Sequence, residues 1–372
     1  MRIAMIGQKG VPVRSGGVER HVHDLVRRLA GSLPCVFVYC RKRYCGPDFS
    51  RDFFGAQRIF IPTVKNKYLE TLVHTFFSTC HALASRMDVY HFHGIGPALF
   101  SWLPRLLHPR AKVVLTFHCQ DYFHQKWGFW GRCAFRLGEW IGCRMAHRII
   151  VVSPILQKYV KERYGRYALT IPNTVPPTEI QPNDILEKMS LRPNEYLLSV
   201  SRLVRHKGIH TIIHAYASLH KESYTLPPLV IVGDGSFSAE YVRELKKLAL
   251  GTPSILFVGE QSHDALAQLY SHARLFIHAS ETEGLSYALL EAMSYGCAVL
   301  VSDIAENAAV LPSIGVQFKT GDSGNLREKI IQCLSIQFDY SYRDIYREHV
   351  ESHFNFEDAF QRSLALYESL AE

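Results

Sequence analysis

Short apolar runs of strand length recur along this chain, and helical patterns separate most of them. The runs are RIAMIG, CVFVYC, DVYHFHG, KVVLTFHC, RIIVVS and ALTIPNT, then YLLSVSRL, PLVIVGDG, SILFVGE, RLFIHAS, AVLVSD and GVQFKTG. Near-continuous Val, Ile and Leu suits strands buried on both faces of a parallel sheet. Strands alternating with helices predict an α/β fold. In GVERHVHDLVRRLAG, Val22, Leu25, Val26 and Leu29 form an i, i+3, i+4, i+7 stripe that Gly31 should end. Between the two series lies IPNTVPPTEIQPNDILEK, where Pro172, Pro176, Pro177 and Pro182 spoil helix and strand alike. Two Rossmann-like domains are therefore expected, facing across a cleft: 1–178 and 179–354. The final amphipathic helix, about 355–372, is expected to pack back on the first.

The 372 residues suffice for two such domains. No apolar run reaches 18 residues, so no membrane span is expected. The opening MRIAMIGQKG lacks the pattern of a secretory leader, and a cytoplasmic location is the expectation. Nine cysteines occur without a CxxC pair, which fits reduced thiols better than a zinc module. Charge is unevenly divided. Residues 1–178 hold 26 Lys and Arg against 9 Asp and Glu, a net of +17, whereas the remainder is −9. One half is thus suited to an anionic partner.

Three connections follow strand ends, where doubly wound sheets bind ligands. After RIAMIG comes QKGVPVRSGGVERH, with Gly16 and Gly17 before a helix and Lys9 and Arg14 nearby. Such a loop can admit an anion to backbone amides, although a glycine pair also serves an ordinary turn. The spacing is not GxGxxG, so no dinucleotide fingerprint is present. After YLLSVSRL come Arg202 and Lys207, a fork and a point charge suited to a diphosphate, or simply a solvated basic loop. After RLFIHAS comes ETEGLSYALLEAMSYG, with Glu281, Glu283 and Glu291. A helix from about Leu285 or Ser286 to Tyr295 would leave Glu283 in the loop and Glu291 about two turns in. The amides of Leu285, Ser286 and Tyr287 would then face a phosphate, and the carboxylates would suit sugar hydroxyls. Compensation of the helix dipole by Glu283 and a structural role for Glu291 explain the same residues.

SRLVRHKG, IVGDG, ETEGLSYALLEAMSYGCAVLVSD and FKTGD, in this order and spacing, resemble the retaining glycosyltransferases of family 4, which have the GT-B fold. The opening IGQKGVPVRSGGVERHV is similar to that of bacterial surface-polysaccharide members. Thr174 stands where the family usually has glycine, and Ala305 where proline is frequent. The resemblance implies that Arg202 and Lys207 bind the donor diphosphate and Glu291 the nucleotide ribose. It implies that Glu283, followed by Gly284, contacts the transferred sugar, with the Leu285, Ser286 and Tyr287 amides on phosphate. It also implies that 257–261 lies near the base, that Gly16 and Gly17 close the first domain's side, and that His118 lies near the donor sugar. The catalytic set is then Glu283, Arg202, Lys207 and His118.

Nineteen histidines raise the question of a metal. His91 and His93 share one side of a strand, but spacing supplies no carboxylate partner, and no DxD motif is present. No metal and no other cofactor is expected. The segment FHQKWGFWGRCAFRLGEWIGCRMAHR mixes Trp127, Phe129, Trp130, Phe135 and Trp140 with Lys126, Arg132, Arg136, Arg144 and Arg148. This suits an anionic membrane interface, or an amphipathic helix with its aromatics in the core. No nucleic-acid motif appears. The expected partners are a nucleotide-sugar donor, a glycan or lipid-linked acceptor, and the cytoplasmic membrane face, in cell-surface polysaccharide synthesis. A sugar-nucleotide epimerase, a phosphorylase or an inactive sugar-binding scaffold on this fold are the alternatives.

Overall fold

The computed structural model describes the chain except residues 15, 34, 47–48, 67–68, 124–126, 223, 236–237, 337–339 and 372. Lys126 thus lies outside the described residues. The chain divides into two units: Met1–Asn173 with Glu357–Glu372, and Thr174–Phe356.

In the first unit, among the described residues, the strands are β1 (Arg2–Ile6), β2 (Cys35–Arg41), β3 (Asp52–Phe53), β4 (Ala56–Ile61), β5 (Val89–His93), β6 (Lys112–Phe117), β7 (Arg148–Val151) and β8 (Leu169–Thr170). They form one sheet in the order β3-β4-β2-β1-β5-β6-β7-β8. All pairs are parallel except β3–β4. The short hairpin and β4 have no counterpart in the sequence reading. AQRIFI carries Gln57 and Arg58 among its apolar residues, which hid the strand.

The predicted stripe is real. Val22, Val26 and Leu29 of the helix Gly17–Ser32 are fully buried, and Leu25 packs beside them. The helix runs one residue past Gly31, because local glycine cost is small beside tertiary packing. The helix Phe356–Ala371 covers the same core with Phe360, Leu366, Tyr367 and Leu370. Each such side chain contributes about 1.5–3 kcal/mol by leaving water.

The second unit carries β9 (Leu197–Val200), β10 (Leu229–Val232), β11 (Ile255–Gly259), β12 (Leu275–His278), β13 (Val299–Ser302) and β14 (Val316–Phe318). All are parallel, in the order β11-β10-β9-β12-β13-β14. These are the six runs of the sequence's second series. The strands β10, β12 and β13 are buried along their whole length, as two-sided parallel strands require. The order reverses direction between β9 and β12. Loops leaving the carboxyl ends of two such strands diverge to opposite faces and open a crevice.

Candidate active site

The crevice of the second unit is lined by the two segments that the sequence singles out. Ser201–Gly208 follows β9, and Ala279–Ser286 follows β12. Backbone contacts tie them together: the Glu281 amide donates to the His206 carbonyl at 2.8 Å. Gly208 adopts φ +66°, and a Cβ there would lie 2.0 Å from the Ala279 carbonyl oxygen. Only glycine permits that approach. On the other side, the Leu203 amide donates to the Asp234 carbonyl at 2.9 Å. Gly233, at φ +140°, passes so close that a Cβ would meet the Ser201 carbonyl oxygen at 1.8 Å. The glycines of IVGDG and SRLVRHKG therefore serve loop-to-loop packing, which fixes Arg202 and Lys207 against the sheet.

Lys207 Nζ pairs with Glu283 Oε1 across the switch point. His278 Nε2, at the last position of β12, meets the same carboxylate oxygen at 3.1 Å. The Lys207 and Glu283 side chains are only 14% and 11% exposed, so the charges must be compensated within the protein. Burial alone would lift the Glu283 carboxyl. Lys207 and His278 outweigh it and hold the group well below the ordinary carboxylate range. A carboxylate fixed and ionised in this way accepts hydrogen bonds, which suits hydroxyl groups.

The sequence reading gave Lys207 and Glu283 separate ligand contacts, and the fold adds a direct bond between them. His278 escaped that reading. Its signal was a polar residue closing the apolar run RLFIHAS.

Arg202 is exposed on the same loop, with its backbone carbonyl held by the Val204 amide at 2.8 Å. Arg205 pairs with Glu244 and lies over the Tyr241 ring. It is thus anchored away from the Lys207–Glu283 pair. Glu281 is half-buried, and burial raises its carboxyl, with Arg205 opposing.

The helix begins at Tyr287, with Ser286 as its cap, and runs to Ser294. That is one or two residues later than the sequence suggested. Leu285 and Ser286 therefore precede the helix proper. Gly284, Leu285 and Ser286 are buried at its start, where the helix dipole favours an anion. Glu291 lies in the helix beside Tyr270. Burial first, then the Glu291 carboxylate, pushes that phenol well above its usual value. The stretch 257–261 spans the end of β11, where Gln261 folds back to donate to the Val258 carbonyl at 2.6 Å.

The remaining predicted residues belong to the first unit. Gly16, at φ +106°, precedes the helix that Gly17 starts. The loop carries its own carboxylate: buried Glu19 accepts from the Lys9 amide at 3.0 Å. Arg14 donates to the Cys45 carbonyl at 2.8 Å. His118, buried just after β6, stands edge-on to His21 with ring centroids 4.9 Å apart. His91 does not form the metal pair that strand alternation suggested. Its Nδ1 meets the Tyr367 hydroxyl at 2.6 Å and its Nε2 the Thr116 hydroxyl at 2.7 Å.

Comparisons with known proteins agree with this layout. The model described as Glycosyltransferase Family 4 matches residues 15–179, and that described as Glycosyl transferases group 1 matches 185–351. The fission-yeast phosphatidylinositol N-acetylglucosaminyltransferase gpi3 subunit (Schizosaccharomyces pombe) is 23% identical over 95% of this chain and 78% of its own length. The O-antigen chain mannosyltransferase B of Escherichia coli is 28% identical over 45% of this chain and 43% of its own length. The chain spans less than half of that relative.

Among solved structures, sucrose-phosphate synthase from Thermosynechococcus elongatus superposes with a TM-score of 0.82 at 22% identity, covering 99% and 98% of the two chains. Anabaena HepE, in complex with UDP and glucose, gives 0.80 at 18% identity, covering 99% and 100%. The chain is therefore a glycosyltransferase. It belongs to family 4 and has the GT-B fold.

Proposed function

We propose that this enzyme moves a sugar from a nucleoside-diphosphate sugar to a glycan or lipid-linked acceptor in cell-surface polysaccharide synthesis, with retention of configuration. The observation that carries the reading is the buried Lys207–Glu283 pair at the crevice of the second unit. It fixes a cation for diphosphate and an ionised acceptor for sugar hydroxyls on adjoining loops.

In this reading Arg202, Lys207 and the helix start at Ser286 and Tyr287 stabilise the leaving diphosphate by preorganised charge, without a metal on it. Glu283, with the backbone at Gly284 and Leu285, holds the transferred sugar, and Glu291 the ribose. Relatives named for phosphatidylinositol, O-antigen chains and, in Streptococcus pneumoniae, monoglucosyldiacylglycerol synthesis support an acceptor of glycan or lipid type.

A thermal-shift series with UDP, GDP, ADP and dTDP, each with and without magnesium, tests the donor site. One nucleotide at 100 times its Kd should stabilise the chain by about 2.7 kcal/mol, with or without the metal. No shift with any of them favours an inactive scaffold. Release of free sugar nucleotide isomer or sugar phosphate without an acceptor favours the epimerase or phosphorylase.

We also propose that the first unit docks on the cytoplasmic face of an anionic membrane. The helix Phe129–Met145 buries Gly138, Glu139, Gly142 and Cys143. A Cβ on Gly138 would lie 2.2 Å from the Ile95 carbonyl oxygen, and one on Gly142 2.6 Å from the Ala98 Cβ. With that face sealed, the aromatics point outward: Trp130 is 82% and Phe129 72% exposed. The alternative of aromatics packed into the core thus fails for these two. Neighbouring Leu106 and Leu107 are also exposed, as are Arg132 and Arg144.

Removing Arg132 and Arg144 together should cost about 2 kcal/mol of binding to anionic vesicles. That is a loss of about 30-fold in co-sedimentation. Equal binding of the parent to neutral and anionic vesicles would defeat the electrostatic version.

A further inference from the structure

Four histidines meet in the first unit, three of them with ring nitrogens that converge. His21 comes from the helix Gly17–Ser32, His93 from the end of β5, and His118 from the segment after β6. All three are buried, at 9%, 2% and 7% exposure. One nitrogen from each lies within 4.8 Å of the other two. The fourth, His91, is fully satisfied by Tyr367 and Thr116, and its ring centroid lies 4.0 Å from that of His93, tilted by 36°. It supports the cluster without joining it.

Buried polar atoms are nearly always paired, and here they are not. Both nitrogens of His93, and Nε2 of His118, have no hydrogen-bond partner among the described residues. His21 is oriented instead. Its Nδ1 lies 3.2 Å from the Asn173 side-chain oxygen. An amide oxygen only accepts, so Nδ1 carries the proton and Nε2 keeps its lone pair. A ligating histidine is typically held by such an outer partner on its other nitrogen. Burial, with neighbouring histidines adding to it at His93 and His118, lowers all three imidazoles; His21 falls to about 4.

We infer that His21, His93 and His118 form a binding site for one divalent transition-metal ion of the zinc class, held by three imidazoles with a fourth position open. Neutral imidazoles favour zinc, cobalt and nickel over magnesium or calcium, which take oxygen. Zinc–nitrogen bonds of about 2.0–2.1 Å in a tetrahedron set nitrogens about 3.4 Å apart. The cluster reaches this by closing about 1.5 Å at most, and His118, beyond its strand, can supply that movement. The inference stands on these rings alone and does not depend on the proposed transfer. An ion there occupies His118, so metal binding and a role for His118 at a sugar exclude each other.

The test is cobalt(II) and zinc(II) titration of the chelator-treated full chain, followed by cobalt visible absorption and by calorimetry. One equivalent should bind with the absorption of a tetrahedral site. His93→Gln and His21→Gln should each weaken it by about 100-fold or more, and Asn173→Ala by about 10-fold, as an outer-shell partner does. X-ray absorption on the zinc-loaded parent needs no variant and should report imidazole ligands without sulfur. Absence of binding at micromolar metal overturns the inference. So does unchanged affinity in His93→Gln, or a sulfur ligand in the parent's first shell.

Discussion

Lys207→Ala is expected to lower turnover by about 100-fold or more and to destabilise the second unit by about 3 kcal/mol. The activity loss is what one preorganised charge at a leaving group contributes. The stability loss follows from the pairing. Removing one partner of a buried ion pair leaves the other desolvated and uncompensated, at a cost of about 3–5 kcal/mol. His278 remains on Glu283 at 3.1 Å, which argues for the low end.

The pH dependence has a definite sign. In the parent, the folded Glu283 carboxyl titrates well below its ordinary value of 4.5. Its contribution is fully present above that value and is lost as pH falls through the folded pKa. In the variant, burial acts against one partner fewer, so the folded pKa moves up. The stability gap between the two chains should therefore narrow as pH drops from 7 to about 4. Urea unfolding at both pH values, together with donor turnover, checks this. A variant that unfolds like the parent and turns over at the parent rate would remove the assigned donor site.

Gly208→Ala should be more damaging to structure than its single methyl suggests. The left-handed backbone alone costs an L-residue about 1–2 kcal/mol. The methyl would also lie 2.0 Å from the Ala279 carbonyl oxygen, far inside contact distance. Neither backbone can yield without parting the two loops that carry Lys207 and Glu283. A total above about 4 kcal/mol is expected, which is a fall in Tm of about 10 °C. Gly251 separates the two causes. It has φ +85°, and a methyl added there would find nothing within 4 Å. Gly251→Ala should show the conformational cost alone and leave nucleotide binding unchanged. Equal effects at both glycines would show that the loop contact is dispensable.

Much of this site could be read from the chain because parallel strands advertise themselves. Leu197–Val200, Leu275–His278 and their neighbours are apolar on both faces, so each run gives a strand and each strand end a loop. Once the strands are in place, chemistry at loop positions becomes conspicuous: Arg202, Lys207 and Glu283 are polar residues just past apolar runs. What the pattern could not convey was who meets whom. The Lys207–Glu283 bond spans 76 positions and depends on β9 and β12 being neighbours, which no local periodicity encodes. The histidine cluster was hidden for the same reason. His91 and His93 looked like the pair because they share a strand. The sheet instead gives His91 to Tyr367, 276 positions away, and joins His93 to His21 and His118. The strand Ala56–Ile61 was missed because Arg58, although 2% exposed, reads as a surface residue. Its Nη1 donates to the Val11 carbonyl at 3.1 Å.

The return of residues 357–372 to the first unit imposes an order on biosynthesis. Residues 1–173 leave the ribosome first, yet the core around Met5, Val22 and Val26 stays uncovered until Phe360, Leu366 and Tyr367 arrive. The second unit is continuous in sequence and can close at once. At about 5–20 residues per second, the intervening stretch takes about 10–40 s to emerge. For that interval the earlier unit stays unfinished while the later one is being made. The apolar surface that the last helix will cover faces water until that helix arrives.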